Sequence, residues 1–263
     1  MRGTTVELSH DEYRTAWHAL GLGTRHWNLE LPGLPELTEQ EQRAQTGGIL
    51  DGLRARGLAD HRSLAPTLTE PLRLLASPAR EIYGWVQTGV AHVRLLAGSR
   101  GEWGALAMLD EHRLVVRTGP AGELCTAVAR QLPDRPAGSG SSVSVPSELL
   151  ERPADNGQRG LTGKQLENRL IRGGVKPPEA QAFVAMMHGP KTGGGKFGVA
   201  CRDRDGRRRP AGVALTYLAT ERGGYTLQPV RGADRSEWIT LAPATLMQVA
   251  QRISQLLDSV CIG

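Results

Sequence analysis

The chain has 263 residues, of which 39% are hydrophobic and 22% are charged, a composition typical of a folded globular protein with a sizeable core and not of a disordered chain. The net charge is +5, but 27 acidic residues are mixed among 32 basic ones, so charge alone does not single out nucleic acid as a partner. We find no run of 18 apolar residues and no apolar leader, so we expect neither a membrane span nor a secretory signal.

The cysteines Cys125, Cys201 and Cys261 are odd in number and far apart. This spacing favours neither a disulfide framework nor a metal site. We therefore expect free thiols in a reducing cytoplasm, with Cys125 and Cys201 buried as small apolar groups.

The first quarter of the chain predicts mostly helices. A short strand leads into a helix capped by Ser9, with Tyr13, Trp17 and Leu20 on one apolar face. The alternating segment 26–31 predicts a strand. Two more helices are predicted over 38–58 and 64–77.

A strand-rich block follows, and a helix closes it. Four short runs between 81 and 119 are separated by glycine and polar turns, which is typical of a meander. A helix is predicted over 123–133. Residues 134–160 are rich in Pro, Gly and Ser and predict a connector that contains an extended SVSVP segment.

The remainder repeats this order. Helices are predicted over 162–174 and 177–189, and three antiparallel strands and a fourth run, WITLAP, follow them. The closing helix has a regular apolar face, formed by Leu246, Val249, Ala250, Ile253, Leu256 and Leu257. We therefore predict one domain, 1–263, built as a pseudo-duplication of halves 1–133 and 161–263 around connector 134–160, with an α+β fold.

The glycine-rich stretch HGPKTGGGKFGVA, residues 188–200, raises the question of phosphate binding. A P-loop needs G-x-x-x-x-G-K-[ST] between a strand and a helix. If Gly195 and Lys196 are the GK pair, the first glycine is replaced by Pro190 and the hydroxyl residue by Phe197. The sequence instead favours a flexible lead into an edge strand.

Other catalytic and metal-binding patterns are also missing from the sequence. The seven histidines form no HExxH motif and no Cys/His cluster, and no G-x-S-x-G elbow occurs. The acidic residues of helix 38–58 are typical of a solvated face. We therefore predict no enzymatic activity, no metal and no cofactor.

One alternative function depends on positive charge. Lys191 and Lys196 of the glycine stretch 189–198, or the run Arg207–Arg209, could bind a nucleotide phosphate or nucleic acid. The run also contains two aspartates and lacks interleaved aromatic residues, which favours a charged hairpin tip.

The second meander offers a candidate contact surface. In LTYLATERGGYTLQPV, two tyrosines, Thr216, Thr226 and Gln228 alternate with Leu and Val. This pattern predicts one core face and one polar, aromatic face suited to a protein partner.

Several segments together resemble the EspG family of chaperones of actinobacterial type VII (ESX) secretion, over roughly residues 5–258. The similar segments are LSHDEYRTAWHALGLG, TEQEQRAQTGGILDGLRARGL, LPDRPAGSGSSVSVP, GGGKFGVACRDRDGRRRP and WITLAPATLMQVAQRISQLL. ATERGGY departs from the family pattern, since Ala219 and Gly224 stand where aspartate and arginine are usual.

The resemblance implies an α+β fold with a central, largely antiparallel sheet in two quasi-symmetric halves. It also implies a non-catalytic cytoplasmic chaperone that keeps a helical secretion substrate soluble before export, either a PE–PPE-like pair or a WXG-like hairpin. From the general location of contacts in the family, we expect the partner to touch Arg100, Tyr217, Arg222, Tyr225, Gln228 and Arg231, with the C-terminal helix adding to the surface.

Overall fold

The computed structural model of the protein describes residues 3–33, 39–150, 162–232 and 235–261, with the backbone alone for 39–43. Within these residues, ten strands form one sheet. The strands are β1 (Thr5–Ser9), β2 (Arg80–Thr88), β3 (Ala91–Arg100), β4 (Trp103–Leu109), β5 (Arg113–Pro120), β6 (Val143–Pro146), β7 (Lys191–Arg202), β8 (Arg208–Thr220), β9 (Gly223–Arg231) and β10 (Glu237–Pro243).

The helices of the described chain are α1 (His10–Ala19), α2 (Glu39–Ala55), α3 (Pro66–Ala76), α4 (Leu124–Ala129), α5 (Gly163–Arg172), α6 (Pro177–Met187) and α7 (Leu246–Cys261). Short 3-10 helices lie at Trp27–Leu29, Ala121–Glu123 and Ser147–Leu149. None of the described helices is long and apolar enough to cross a membrane.

The strand order is β1-β5-β4-β3-β2-β7-β8-β9-β10-β6, and every pair is antiparallel. Each meander pairs its last strand with an early strand, β5 with β1 and β10 with β6. The two meanders meet at β2 and β7. The α+β fold with a large antiparallel sheet is confirmed, and the exact division into halves at 133 and 161 stays a prediction.

One face of the sheet is covered by α4 and α7. The apolar side of α7, with Val249 and Ile253 fully buried, packs on Phe197, Val199 and Leu215 of the central strands. The periodicity of the closing helix therefore predicted the correct core face. A disulfide between Cys201 of β7 and Cys261, the last residue of α7, joins the helix to the sheet.

This disulfide corrects the prediction of free thiols. The two cysteines are 60 residues apart in sequence, so spacing gave no sign of their pairing. They meet because α7 runs back across the sheet over β7 and β8. Only Cys125 remains a free thiol.

The opposite face carries two separate helical layers. Helices α1, α2 and α3 pack on β1, β3, β4 and β5 around the buried Tyr13, Trp17 and Leu72. Helices α5 and α6 pack on β6, β9 and β10 around Phe183. Between the two layers, the strands at the middle of the sheet are left uncovered by helix.

Two local predictions were wrong. Segment 26–31 is not a strand, since Trp27–Leu29 forms a 3-10 helix capped by His26, whose side chain accepts a hydrogen bond from the amide of Asn28. The glycine stretch does not lead into an edge strand either. It is part of β7, which lies at the centre of the sheet and pairs with both β2 and β8.

Candidate partner-binding groove

The uncovered middle of the sheet forms a groove of about 890 Å³. It lies on the face opposite α7, between the 3-10 helix at Trp27–Leu29 and the one at Ser147–Leu149. The residues that line its walls and floor include Trp27, Tyr83, Trp85, Ser147, Leu150, Lys196, Thr216, Leu227, Pro229, Glu237 and Ile239.

The first wall of the groove is aromatic. Trp27 is 56% exposed, and its ring meets Tyr83 edge to face with the centroids 5.5 Å apart. Trp85 stacks on His92 at 5.6 Å. Trp27 is exposed, and Tyr83 and Trp85 are half-buried. Accessible aromatic side chains are common anchors in protein interfaces, because they offer a large rigid surface at a low entropic cost.

A buried asparagine holds this wall in place. Asn28 is 1% exposed, and its side-chain amide donates to the carbonyl oxygens of Gly84 and Leu95, both at 2.7 Å. These bonds fix the 3-10 helix to β2 and β3. The neighbouring Trp27 is therefore presented from a rigid base, which reduces the entropy lost on binding.

An ion pair lies under the wall. Glu81 is buried, and its Oε1 accepts a hydrogen bond of 2.5 Å from Nε of Arg208. The Arg208 guanidinium lies 4.8 Å from the centre of the Tyr83 ring, within cation–π range. A strand-end arginine thus holds both the buried carboxylate and the aromatic ring.

His26 completes this cluster as a neutral side chain. Burial, and then the charge of Arg208, lower the pKa of His26 to about 4. Its Nε2 lies 3.8 Å from Oε1 of Glu81, which is too long for a hydrogen bond. Its Nδ1 accepts a hydrogen bond from the backbone amide of Asn28 at 3.2 Å, so His26 caps the 3-10 helix.

The floor of the groove is mainly small or apolar. The β-sheet register places Lys196 of β7 and Thr216 of β8 side by side on the floor, next to Trp85 of the aromatic wall. Leu227 and Pro229 of β9 and Ile239 of β10 continue the floor towards the second wall. The groove thus joins an apolar surface to a few polar groups, as protein interfaces commonly do.

The structure does not bring the six predicted contact residues together. Tyr217 is fully buried under α4 and α7, where burial raises its pKa to about 12, and its hydroxyl lies 3.4 Å from the carbonyl oxygen of Pro133. Tyr225 is buried on the other face beneath α5 and α6, and its hydroxyl donates to the Ser139 carbonyl at 3.3 Å. The prediction that both tyrosines lie on an exposed face was wrong, because each face of β8 and β9 is covered by helix at these positions.

The other four residues are dispersed. The Gln228 side chain accepts from Arg252 of α7 at 3.2 Å. Gln228 and the C-terminal helix, which we also expected to add to the contact surface, therefore lie on the face opposite the groove. Exposed Arg222 lies in the β8–β9 turn, and exposed Arg231 pairs with Glu237 at 3.5 Å near the end of the groove. Arg100 contacts the Ser77 carbonyl and lines a separate cleft of about 680 Å³ beside α3. Whether any of these four touches a partner stays a proposal.

Most of the glycine stretch 189–198, which the phosphate-binding alternative requires to be a loop, lies in a strand. Residues 191–202 are strand, and the described chain places no helix amino terminus directly after them. Two of the three arginines in the basic run are engaged by carboxylates, Arg208 by Glu81 and Arg209 by Asp203 at 2.9 Å. The backbone amide of Arg207 also donates to Asp203, which closes the hairpin tip.

The aromatic wall was not predicted from the sequence. Trp27, Tyr83 and Trp85 come from two segments about 55 positions apart, and no local pattern links them. The residues around Trp27 gave no usable signal, because the alternation of segment 26–31 predicts a strand and not the 3-10 helix that presents this side chain.

Comparisons with known proteins agree with this fold. The family model described as the EspG family matches residues 9–255. The fold is similar to a solved structure of the Mycobacterium tuberculosis type VII secretion system chaperone EspG5, in complex with a PE25–PPE41 dimer, with a TM-score of 0.69 and 15% identity. The similarity covers 98% of this chain and 97% of that one. No curated protein matches the sequence. Since the family model spans nearly the whole sequence, the chain belongs to the EspG family.

Proposed function

We propose that this protein is a non-catalytic chaperone of type VII secretion that binds a helical, PE–PPE-like substrate in the cytoplasm before its export. Family membership supports the class of function. The observation on the chain itself that supports it is the open groove at the centre of the sheet, with its aromatic wall and apolar floor.

The physical logic is that of reversible shielding. A helical substrate with an exposed apolar tip aggregates in water, because its apolar surface is removed from water only by contact with other molecules. A groove with an apolar floor and rigid aromatic anchors can cover such a tip. The solved relative EspG5 is recorded with a PE25–PPE41 dimer, and we propose a partner of the same class for this chain.

Native affinity purification tests the function. The tagged chain, expressed in its own host, is expected to recover a helical protein encoded beside a type VII secretion system, identified by mass spectrometry. The double variant Trp27→Ala/Trp85→Ala is expected to recover at least tenfold less, since it removes both aromatic anchors of the groove.

A matched control is available in the chain. Trp103 is 44% exposed but lines the separate cleft beside α3, so Trp103→Ala is expected to recover the substrate as the wild type does. Failure of the wild-type chain to recover any type VII substrate would contradict the proposed function. If Trp103→Ala lost as much substrate recovery as Trp27→Ala/Trp85→Ala, the assignment of substrate binding to the groove would be contradicted.

A further inference from the structure

We propose that the partner segment entering the groove carries a carboxylate among its apolar side chains, and that this carboxylate pairs with Lys196. The inference rests on the proposed function and adds the chemistry that the substrate must present. It depends on the position of one cation at the centre of the groove floor.

Lys196 lies in the middle of β7 and is exposed. Its register partners are Trp85 on β2 and Thr216 on β8, and all three line the groove. Any molecule that covers the floor between the aromatic wall and β9 must therefore also cover the Lys196 side chain.

None of the carboxylates in the described part of the chain forms an ion pair with Lys196. Glu81 lies on the same face, but it is bonded to Arg208. Glu237, the acidic residue lining the groove, lies on β10, three strands from β7, which is about 14 Å at the usual strand spacing. Glu237 is also paired with Arg231.

Covering an unpaired ammonium with an apolar surface is unfavourable, because the charge loses its hydration and gains no counter-charge. A partner that supplies a carboxylate at this point recovers that cost in part and is selected over partners that lack one. Trp85 lies next to Lys196, and Leu227 and Ile239 lie further along the floor, so the same carboxylate requires apolar neighbours. The groove therefore fits an apolar helical tip with one acidic side chain better than a uniformly apolar or a basic tip.

The test uses the type VII substrate that the wild-type chain recovers, purified as the PE–PPE-like pair. Titration calorimetry measures the affinity of this substrate for each variant of the chaperone. Lys196→Met keeps the length and apolar stem of the side chain but removes its charge, and it is expected to weaken binding at least tenfold. Lys196→Glu is expected to weaken binding more than a hundredfold. Lys191→Met is the control at the exposed start of the same strand, outside the groove lining, and is expected to leave binding unchanged.

Exchanging the charges between the substrate and the chaperone identifies the carboxylate that pairs with Lys196. In the substrate, each carboxylate of the docking tip is replaced in turn by lysine, and one of these variants is expected to restore binding to Lys196→Glu while binding the wild type poorly. Salt is expected to weaken the wild-type complex more than the Lys196→Met complex.

The outcomes separate the two claims. Unchanged affinity and salt dependence with Lys196→Met, or a charge scan in which no lysine substitution restores binding to Lys196→Glu, would overturn this inference and leave the chaperone function standing. Failure of the wild-type chain to bind any type VII substrate would overturn the function, and the inference with it. Thermal melts that match the wild type are expected for both Lys196 variants, because the side chain is exposed.

Discussion

Arg208 donates to the buried carboxylate of Glu81 across 2.5 Å, and this pair joins the β7–β8 hairpin to the strand that carries the aromatic wall of the groove. The two partners differ in exposure, with side-chain accessibilities of 33% for Arg208 and 5% for Glu81. Removing one partner therefore has different consequences from removing the other.

The ion pair predicts an asymmetric loss of stability. Arg208→Ala leaves Glu81 charged and buried, and it is expected to lower the free energy of unfolding by about 3 kcal/mol. Glu81→Gln leaves an arginine that still reaches water and is expected to cost about 1–2 kcal/mol. Urea denaturation of both variants measures the difference, and a larger loss for Glu81→Gln would contradict the assigned burial.

His26 predicts a dependence of stability on pH. Its pKa is about 4 in the folded protein and about 6.5 when unfolded, so the unfolded chain binds the extra proton first as pH falls. The stabilisation is complete above pH 6.5 and is lost as pH falls towards 4, by about 3 kcal/mol in total.

The variant His26→Asn isolates this contribution, because asparagine can also cap the 3-10 helix but does not titrate. Urea denaturation between pH 7 and pH 4 is expected to show a shallower loss of stability for the variant than for the wild type. Parallel curves for the two proteins would show that His26 is not buried in its neutral form.

We expect the disulfide between Cys201 and Cys261 to stabilise the docking of the C-terminal helix on the sheet. Under denaturing, non-reducing conditions, a thiol reagent is expected to label Cys125 alone, and Cys125→Ala is expected to abolish labelling. The double variant Cys201→Ala/Cys261→Ala is expected to lose up to about 4 kcal/mol of stability, the chain-entropy value for a loop of 60 residues.

Chemical reduction of the disulfide tests the same contribution to stability without a substitution. Dithiothreitol is expected to lower the unfolding midpoint of the wild type and to leave that of the double variant unchanged. Labelling of all three cysteines in the untreated protein would contradict the pairing of Cys201 with Cys261.

Some elements could be predicted from local sequence, because their cause is local. Helix α1 begins at a capping box, in which Ser9 and Glu12 bond each other's backbone amides, and the apolar face of α7 repeats at the helical period. The strands of both meanders were predicted for the same reason, since glycine and polar turns separate them.

The glycines of β7 show why other features could not be predicted. A side chain at Gly194 would come within 2.4 Å of the Tyr217 carbonyl oxygen, and one at Gly195 within 2.8 Å of the Trp85 carbonyl oxygen. These glycines are required by close packing against the strands on both sides. Such packing is a tertiary property, and in sequence the same residues resemble a flexible loop.

The buried tyrosines illustrate the same difficulty. Tyr217 and Tyr225 lie on opposite faces of neighbouring strands, and different helices cover each of them. A polar–apolar alternation identifies a core face only when one face of the sheet is solvated throughout. Here both faces are partly covered, so the contact surface could not be located by alternation.

Site-specific photo-crosslinking distinguishes the two faces of the sheet as the surface that binds the substrate. A photoreactive residue at Thr216, on the groove floor, is expected to cross-link a helical type VII substrate in cells, whereas the same residue at Gln251, exposed on α7 across the sheet, is expected to give no cross-link. Cross-linking from Gln251 and none from Thr216 would contradict the claim that the groove is the substrate-binding surface of this chaperone.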